Sequence, residues 1–386
     1  MKEDTKLVHT GRDTANHHGA VNTPVYHAST ILFPTMEEYV NRQTSGVAVK
    51  YGRRGTPTIF GLEDAMTALE GGAGTVLTPS GLQAITMALI SCVKAGDHVL
   101  VTDSTYAPTR NFCREILAGF GVESSFYDPQ IGAGIEAFIK PNTTVVWTES
   151  PGSQTFDVQD IPAISAAAHA AGATVMMDNT WSGGYYFKPL EHGVDISVHA
   201  ATKYVVGHSD VMMGAVVCNA RTLDQVKTRS SYFGNHAGPD DVYLALRGLR
   251  TMGVRMPRHF ENAMTIARWL QDREEVTRVM YPALPNDPGH TIWKRDFTGA
   301  SGLFGFVVNT GDQTKVAAML DGLEFFGMGS SWGGYESLLI PSAPEKNRTA
   351  TEWTVDGQTL RIHVGLEDPD DLLTDLDKGF DRLNKA

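Results

Sequence analysis

From about residue 75 to 220, short apolar runs alternate with stretches of helical spacing. HVLV at 98–101, VVW at 145–147, TVMM at 174–177, ISV at 196–198 and VMMGAVVC at 211–218 predict buried strands. SGLQAITMALISCV from Ser80, PTRNFCREILAGF from Pro108 and IPAISAAAHAAG from Ile161 have a polar or Pro start and, in several cases, a closing Gly, and predict helices. Strands and helices in alternation predict an α/β fold with a large central sheet covered on both faces. After Asp240 come three helical or loop segments, the second led by Pro257. A second alternation follows: LFGFVV at 303–308, a helix near 313–322, LLI at 338–340, LRIHV at 360–364 and a closing helix DPDDLLTDLDKGFDRL. The first fifty-odd residues show no regular period, and they hold KYGRRGTPT, which suits an exposed arm. The organisation expected is an arm over 1–55, a large sheet domain over 56–250 and a smaller C-terminal α/β domain over 251–386.

Length agrees with that division, since 386 residues exceed the size at which one core stops growing. Thirty-two basic against 44 acidic side chains leave a formal charge of -12, with no basic stripe to neutralise a phosphate backbone, which argues against nucleic acid as a partner. The start MKEDTKLVHTGRD is polar where a signal peptide needs an apolar segment, and no strongly apolar stretch reaches spanning length; a cytoplasmic protein without membrane contact is expected. Cys92, Cys113 and Cys218 are widely spaced and form no CxxC, so they read as reduced structural thiols. The thirteen His include no HExxH or other zinc spacing, and no metal is expected.

Candidate chemistry lies in three places: a Gly-containing turn at 79–82, Asp178 ending one apolar run, and Lys203 following another. Alone, each has a dull explanation as a helix cap, a turn residue or a solvated amine. Together, DNTW at 178–181 and HAATKYVVGHSD at 199–210 put a carboxylate and an amine at the ends of successive strands, which face the ligand crevice in open α/β sheets. An amine desolvated there keeps a population of its neutral, nucleophilic form, so Lys203 is a credible Schiff-base former. A carboxylate at Asp178 suits a protonated pyridine nitrogen, and the helix N-terminus after Ser80 suits a phosphate, with Gly81 allowing close backbone approach. Arg361, between Leu360 and Ile362 on a predicted strand, is an odd place for a charge unless it is paired, and a guanidinium grips a carboxylate through two parallel bonds.

VKYGRRGTPT, TPSGLQAI, DSTYAPTRNFC, MMDNTWSGG, HAATKYVVGHSDVMMG, SWGGYESL and TLRIHVGLED stand in the order found in the Cys/Met-metabolism family of fold-type-I, pyridoxal-phosphate-dependent enzymes, which the chain resembles over nearly its whole length. The resemblance implies pyridoxal 5'-phosphate as cofactor, bound to Lys203 as a Schiff base, with Lys203 also the acid–base catalyst. By the same resemblance Asp178 pairs with the pyridine nitrogen and Tyr106 stacks on the ring. Gly81, Leu82, Thr202 and Thr180 complete the cofactor's contacts, joined by Tyr51 and Arg53 from a neighbouring subunit, so a tetramer built from two dimers is implied. Arg361, Ser331, Trp332 and Tyr51 fall to the amino-acid substrate, and Tyr106 or Tyr51 assists proton transfer. Ala200 stands where many relatives have Ser, and SWGGYES from Ser331 resembles the β-lyase branch; Trp332 otherwise reads as core packing. The activity implied is β-elimination of L-cystathionine to homocysteine, pyruvate and ammonia, in methionine biosynthesis. Alternatives are γ-elimination or γ-replacement, broader cleavage of cysteine S-conjugates, and a catalytically idle binding protein; a nicotinamide dehydrogenase is disfavoured because no GxGxxG opens a βαβ unit.

Overall fold

In the computed structural model, which describes residues 1–386 other than 45 and 47, successive residues of the central strands enter two different cores. In β2 (His98–Thr102) Leu100 points to one core, and Val99 and Val101 to the other; in β4 (Thr143–Glu149) Val146 opposes Val145 and Trp147; in β5 (Thr174–Asp178) Met176 opposes Val175 and Met177. Strands covered on both faces read as unbroken apolar runs, which is why the sequence marks them. Each fully buried aliphatic side chain contributes about 1.5–3 kcal/mol.

With β1 (Gly74–Thr78), β3 (Glu123–Tyr127), β6 (Ile196–His199) and β7 (Gly214–Cys218), these strands form a seven-stranded sheet ordered β1-β7-β6-β5-β4-β2-β3. Only β7 runs against the rest. A second, antiparallel sheet, ordered β10-β11-β9-β8, is made of β8 (Val276–Met280), β9 (Leu303–Val308), β10 (Leu338–Ser342) and β11 (Gln358–His363). The expected large, mostly parallel sheet and a smaller second one are both present.

Helix starts follow local chemistry. Ser80 caps the helix Gly81–Cys92 by accepting from Gln83 N–H, and Asp160 caps Ile161–Ala170 through Ala163 N–H. The closing helix Pro369–Lys385 has Asp368 as cap, Pro at its first position, acids in its first turn and Arg382 and Lys385 in its last, all favourable to the helix dipole.

Four expectations need correction. Pro257 does not lead a segment; it lies inside the helix Met252–Gln271, whose buried stripe of Met252, Met256, His259 and Ala263 runs straight through it. The segment from Pro108 is a short helix Ala107–Asn111 that passes into a π-helical turn Phe112–Leu117. β7 begins at Gly214, because Met213 is taken up by paired bonds with Thr202. The irregular first fifty residues contain the short helices Glu3–His9 and Met36–Asn41, the first fastened by Arg250 to the Leu7 and Thr10 carbonyls at 2.5 and 2.7 Å. Cys113 and Cys218 are buried and all three thiols are free; burial pushes each up to about 12, which leaves them unreactive. No helix among the described residues is long and apolar enough to cross a membrane.

Candidate active site

Strand register assembles the site. Glu149, last in β4, pairs with Asp178, last in β5, and Asp178 pairs with Val198 of β6; Lys203 follows four residues after β6 ends at His199. Two carboxyl groups and an amine thus meet at the carboxyl ends of parallel strands.

Asp178 Oδ1 accepts from the Thr180 N–H at 3.0 Å and the Thr180 hydroxyl at 2.5 Å, and that hydroxyl accepts from Ala200 N–H at 2.9 Å. Its Oδ2 accepts from none of the described residues. Burial pushes the Asp178 carboxyl above its ordinary value, against the pull of Thr180, His199 and Lys203. Glu149 is forced much higher, by burial and then by the Asp178 charge, so of the two neighbours Glu149 keeps the proton. Its Oε2 accepts from Tyr106 N–H at 2.7 Å and from the Thr105 hydroxyl at 3.1 Å, which fixes the backbone beneath the Tyr106 ring. That ring is 44% exposed, and burial and the two carboxyl groups raise its phenol, so it carries its proton at neutral pH.

Behind Asp178, fully buried Glu70 accepts from His199 Nε2 at 2.8 Å and from Asn179 Nδ2 at 2.9 Å. Burial opposes its charge, yet His199, Ser197 and Lys188 together hold Glu70 below the ordinary carboxylate value. Neither Glu149 nor Glu70 belongs to the predicted set. Glu149 ends the apolar run TTVVWTE just as Asp178 ends TVMMD, so the same signal was there to read; Glu70, midway between helix and Gly turn, carries none.

Burial and the nearby Arg361 charge push the Lys203 amine down to about 8, with Asp178 pulling the other way. Its Nζ donates to Ser331 Oγ at 2.7 Å and stands 5.5 Å from the centre of the Trp332 ring. Trp332 packs against the core shared by the two sheets and against the core around Tyr204, while standing beside the Lys203 amine. Arg361 Nη2 donates to the carbonyls of Gly329, Ser330 and Ser331 at 3.2, 2.9 and 3.1 Å; among the described residues no carboxylate pairs with it. Lys203, Asp178, Tyr106, Arg361, Ser331 and Trp332 therefore converge.

The N–H groups of Gly81 and Leu82, at the start of their helix, meet no acceptor among the described residues, an arrangement that suits an anion. Glycine at 81 has a different cause from the expected one: a Cβ there would lie 2.4 Å from the Ala200 side chain, so it permits the helix to close on the end of β6. The hydroxyls of Thr180 and Thr202 spend their protons on Asp178 and on the Met213 carbonyl.

Tyr51 and Arg53 are not brought to Lys203 within the chain. Arg53 Nη1 donates to the Ser231 carbonyl at 3.0 Å and lines a separate cleft of about 430 Å3 with Arg54, Glu63, Lys227, Tyr232 and His236. Tyr51 is 44% exposed.

The profile of the family described as Cys/Met metabolism PLP-dependent enzyme matches residues 4–381. A putative cystathionine beta-lyase of Rhizobium johnstonii is 51% identical over 384 residues, covering 98% of this chain and 95% of that one. Cystathionine beta-lyase MetC of Escherichia coli is 46% identical, covering 99% of each. Among solved structures, cystathionine gamma synthase from Xanthomonas oryzae pv. oryzae, in complex with aminoacrylate and cysteine, superposes with a TM-score of 0.92 at 31% identity, covering 100% of this chain and 99% of that one.

Proposed function

The chain belongs to the Cys/Met-metabolism family of PLP-dependent enzymes, and from that premise we propose that it is a carbon–sulfur lyase that cleaves L-cystathionine by β-elimination to homocysteine, pyruvate and ammonia. The single observation that carries the chemistry is the desolvated Lys203 amine, at about 8, set at the strand ends beside buried Asp178.

The residues fit pyridoxal phosphate: Lys203 supplies an amine for its aldehyde, Asp178 Oδ2 is a free acceptor for a protonated ring nitrogen, and the Gly81 and Leu82 N–H groups are free donors for a phosphate. Thr180 orients Asp178, Thr202 tethers the Lys203 turn to Met213, and Tyr106 would offer its half-exposed ring to the cofactor. The cofactor supplies an electron-accepting ring that stabilises negative charge at the substrate's Cα. Lys203, neutral in useful proportion near neutral pH, takes the Cα proton and returns one to the departing sulfur; proton-bearing Tyr106 assists the second transfer. Arg361 holds the substrate's α-carboxylate through the N–H groups not spent on the loop, and Ser331 and Trp332 wall the side-chain end.

Tyr51 and Arg53 serve the site of a second copy of the chain. The arm and its surroundings expose Leu32, Met36, Val40 and Tyr232 at 87, 83, 60 and 82%, an apolar surface that a dimer would cover. A pair of such dimers in the cytoplasm is the assembly proposed. Incubating the PLP-loaded protein with L-cystathionine tests the activity: homocysteine with pyruvate is expected, and cysteine with 2-oxobutyrate would replace β- by γ-cleavage.

A further inference from the structure

The segment 329–336, ahead of β10, is held by two side chains of β11. Arg361 and His363 are two residues apart on a strand and so project from the same face. Arg361 takes the carbonyls of residues 329–331; His363, fully buried, takes two backbone atoms further on, with Nε2 3.1 Å from Gly333 N and Nδ1 3.1 Å from Glu336 O, while Leu366 N–H and the Ser209 hydroxyl reach Tyr335 O and Glu336 Oε1 at 2.8 and 2.5 Å. An amide N–H only donates and a carbonyl only accepts, so these partners select one form of the ring, neutral with its proton on Nδ1. Burial, His259, Arg361 and Lys203 all disfavour a charge there.

Held this way, the loop crosses directly over Lys203. Gly333 has φ +84, and a Cβ on it would stand 2.9–3.0 Å from the carbonyl carbon, Cα and Cβ of Lys203. Two residues earlier, Ser331 receives the Lys203 amine. We propose that His363 is a positioning residue for the reaction: by fastening Gly333 and Glu336 it keeps Ser331 on the Lys203 amine and Trp332 against the site, while touching neither substrate nor cofactor. This rests on Lys203 being the cofactor's anchor and proton carrier.

Packing alone is the competing explanation, since His363 also contacts the rings of Tyr204 and His259, with centroids 5.9 and 5.2 Å away. The variants that separate the two are His363→Ala, His363→Asn, which keeps a donor near Glu336 O, and His363→Gln, which reaches toward Gly333 N. They are compared with wild type and Lys203→Ala as PLP-loaded full chains. Three readouts serve: the pH midpoint of the visible absorption of bound cofactor, kcat against KM, and chymotrypsin cleavage at Trp332 and Tyr335. His363→Ala is expected to retain bound cofactor, move the midpoint by roughly half a unit or more, lower kcat by about tenfold or more and open the loop to cleavage, with Asn or Gln restoring part of each. A midpoint, kcat and cleavage rate unchanged in His363→Ala would overturn the proposal, and so would Asn and Gln variants no better than Ala. If instead Lys203→Ala keeps the wild-type spectrum and activity, the underlying assignment of Lys203 falls, and this proposal with it.

Discussion

The two halves of the site are held by different means. On the large sheet, Asp178, Glu149 and Lys203 stand at or just past strand ends, and their placement follows from a ladder of backbone pairs and from side chains buried on every side. On the small sheet, Ser331 and Trp332 ride a loop whose backbone is gripped by Arg361 and His363 from a neighbouring strand. Shifting the first half requires shifting strands, which moves every side chain to the wrong face. The second half can change its residues while the grip stays. In the proposed function, proton chemistry is thus assigned to the sheet, and substrate choice to a clamped loop.

The contrast breaks most visibly at Lys203. Lys203→Ala should lower turnover by on the order of 10^3-fold, through loss of the proton-transfer group, and remove the covalent absorption of bound cofactor, measured by spectrum and pyruvate release. Full activity in that variant would move the chemistry away from the sheet altogether.

Next comes the support beneath it. Glu70→Ala leaves His199 and Asn179 without their buried acceptor, and a buried polar group left unsatisfied costs about 1–3 kcal/mol. Urea unfolding should show that loss, and a smaller one for Glu70→Gln, which keeps an acceptor oxygen. Equal stability of Glu70→Ala and wild type would mean that the sheet end needs no such support.

A pH measurement sharpens the same half. The folded Lys203 amine lies at about 8, below its ordinary 10.5. Between those values the unfolded chain holds a proton that the folded chain has lost, so stability rises with pH over that window and is flat below about 8. Cofactor-free wild type should therefore gain about 2 kcal/mol relative to Lys203→Met between pH 8 and 10.5. A flat difference would show that the amine is fully solvated.

Legibility in the sequence divides along physical lines. Central strands covered on both faces announce themselves as apolar runs, and LFGFVV at 303–308 coincides with β9 residue for residue. The strands absent from the sequence reading lie at sheet edges: β1, β3 and β8. β3 is ESSFY and β8 is VTRVM, half-exposed and partly polar, so neither has an apolar run to read. Asp178 and Lys203 stood out in the sequence because a charge closing an apolar strand, and an amine four residues past the next one, are conspicuous. His363 did not, since its function depends on two backbone atoms of a loop whose path no spacing rule records.

The smallest effect, and the finest probe of the clamped half, is Arg361→Lys. Arg361 does two jobs with one planar group: Nη2 holds three loop carbonyls, and its remaining N–H groups face the site without an acid partner among the described residues. Burial lowers its ordinary value to about 10, so the charge persists at neutral pH. A lysine keeps that charge but brings a single ammonium, which cannot hold the carbonyls and also make two parallel bonds to a carboxylate. KM for cystathionine should rise about tenfold, with kcat falling less, because the lost contact binds ground state and transition state alike. An inhibitor lacking the α-carboxylate gives the decisive control. Its affinity should be the same in both proteins if the guanidinium grips the carboxylate, and should fall in step with the substrate's if Arg361 acts only by holding the loop.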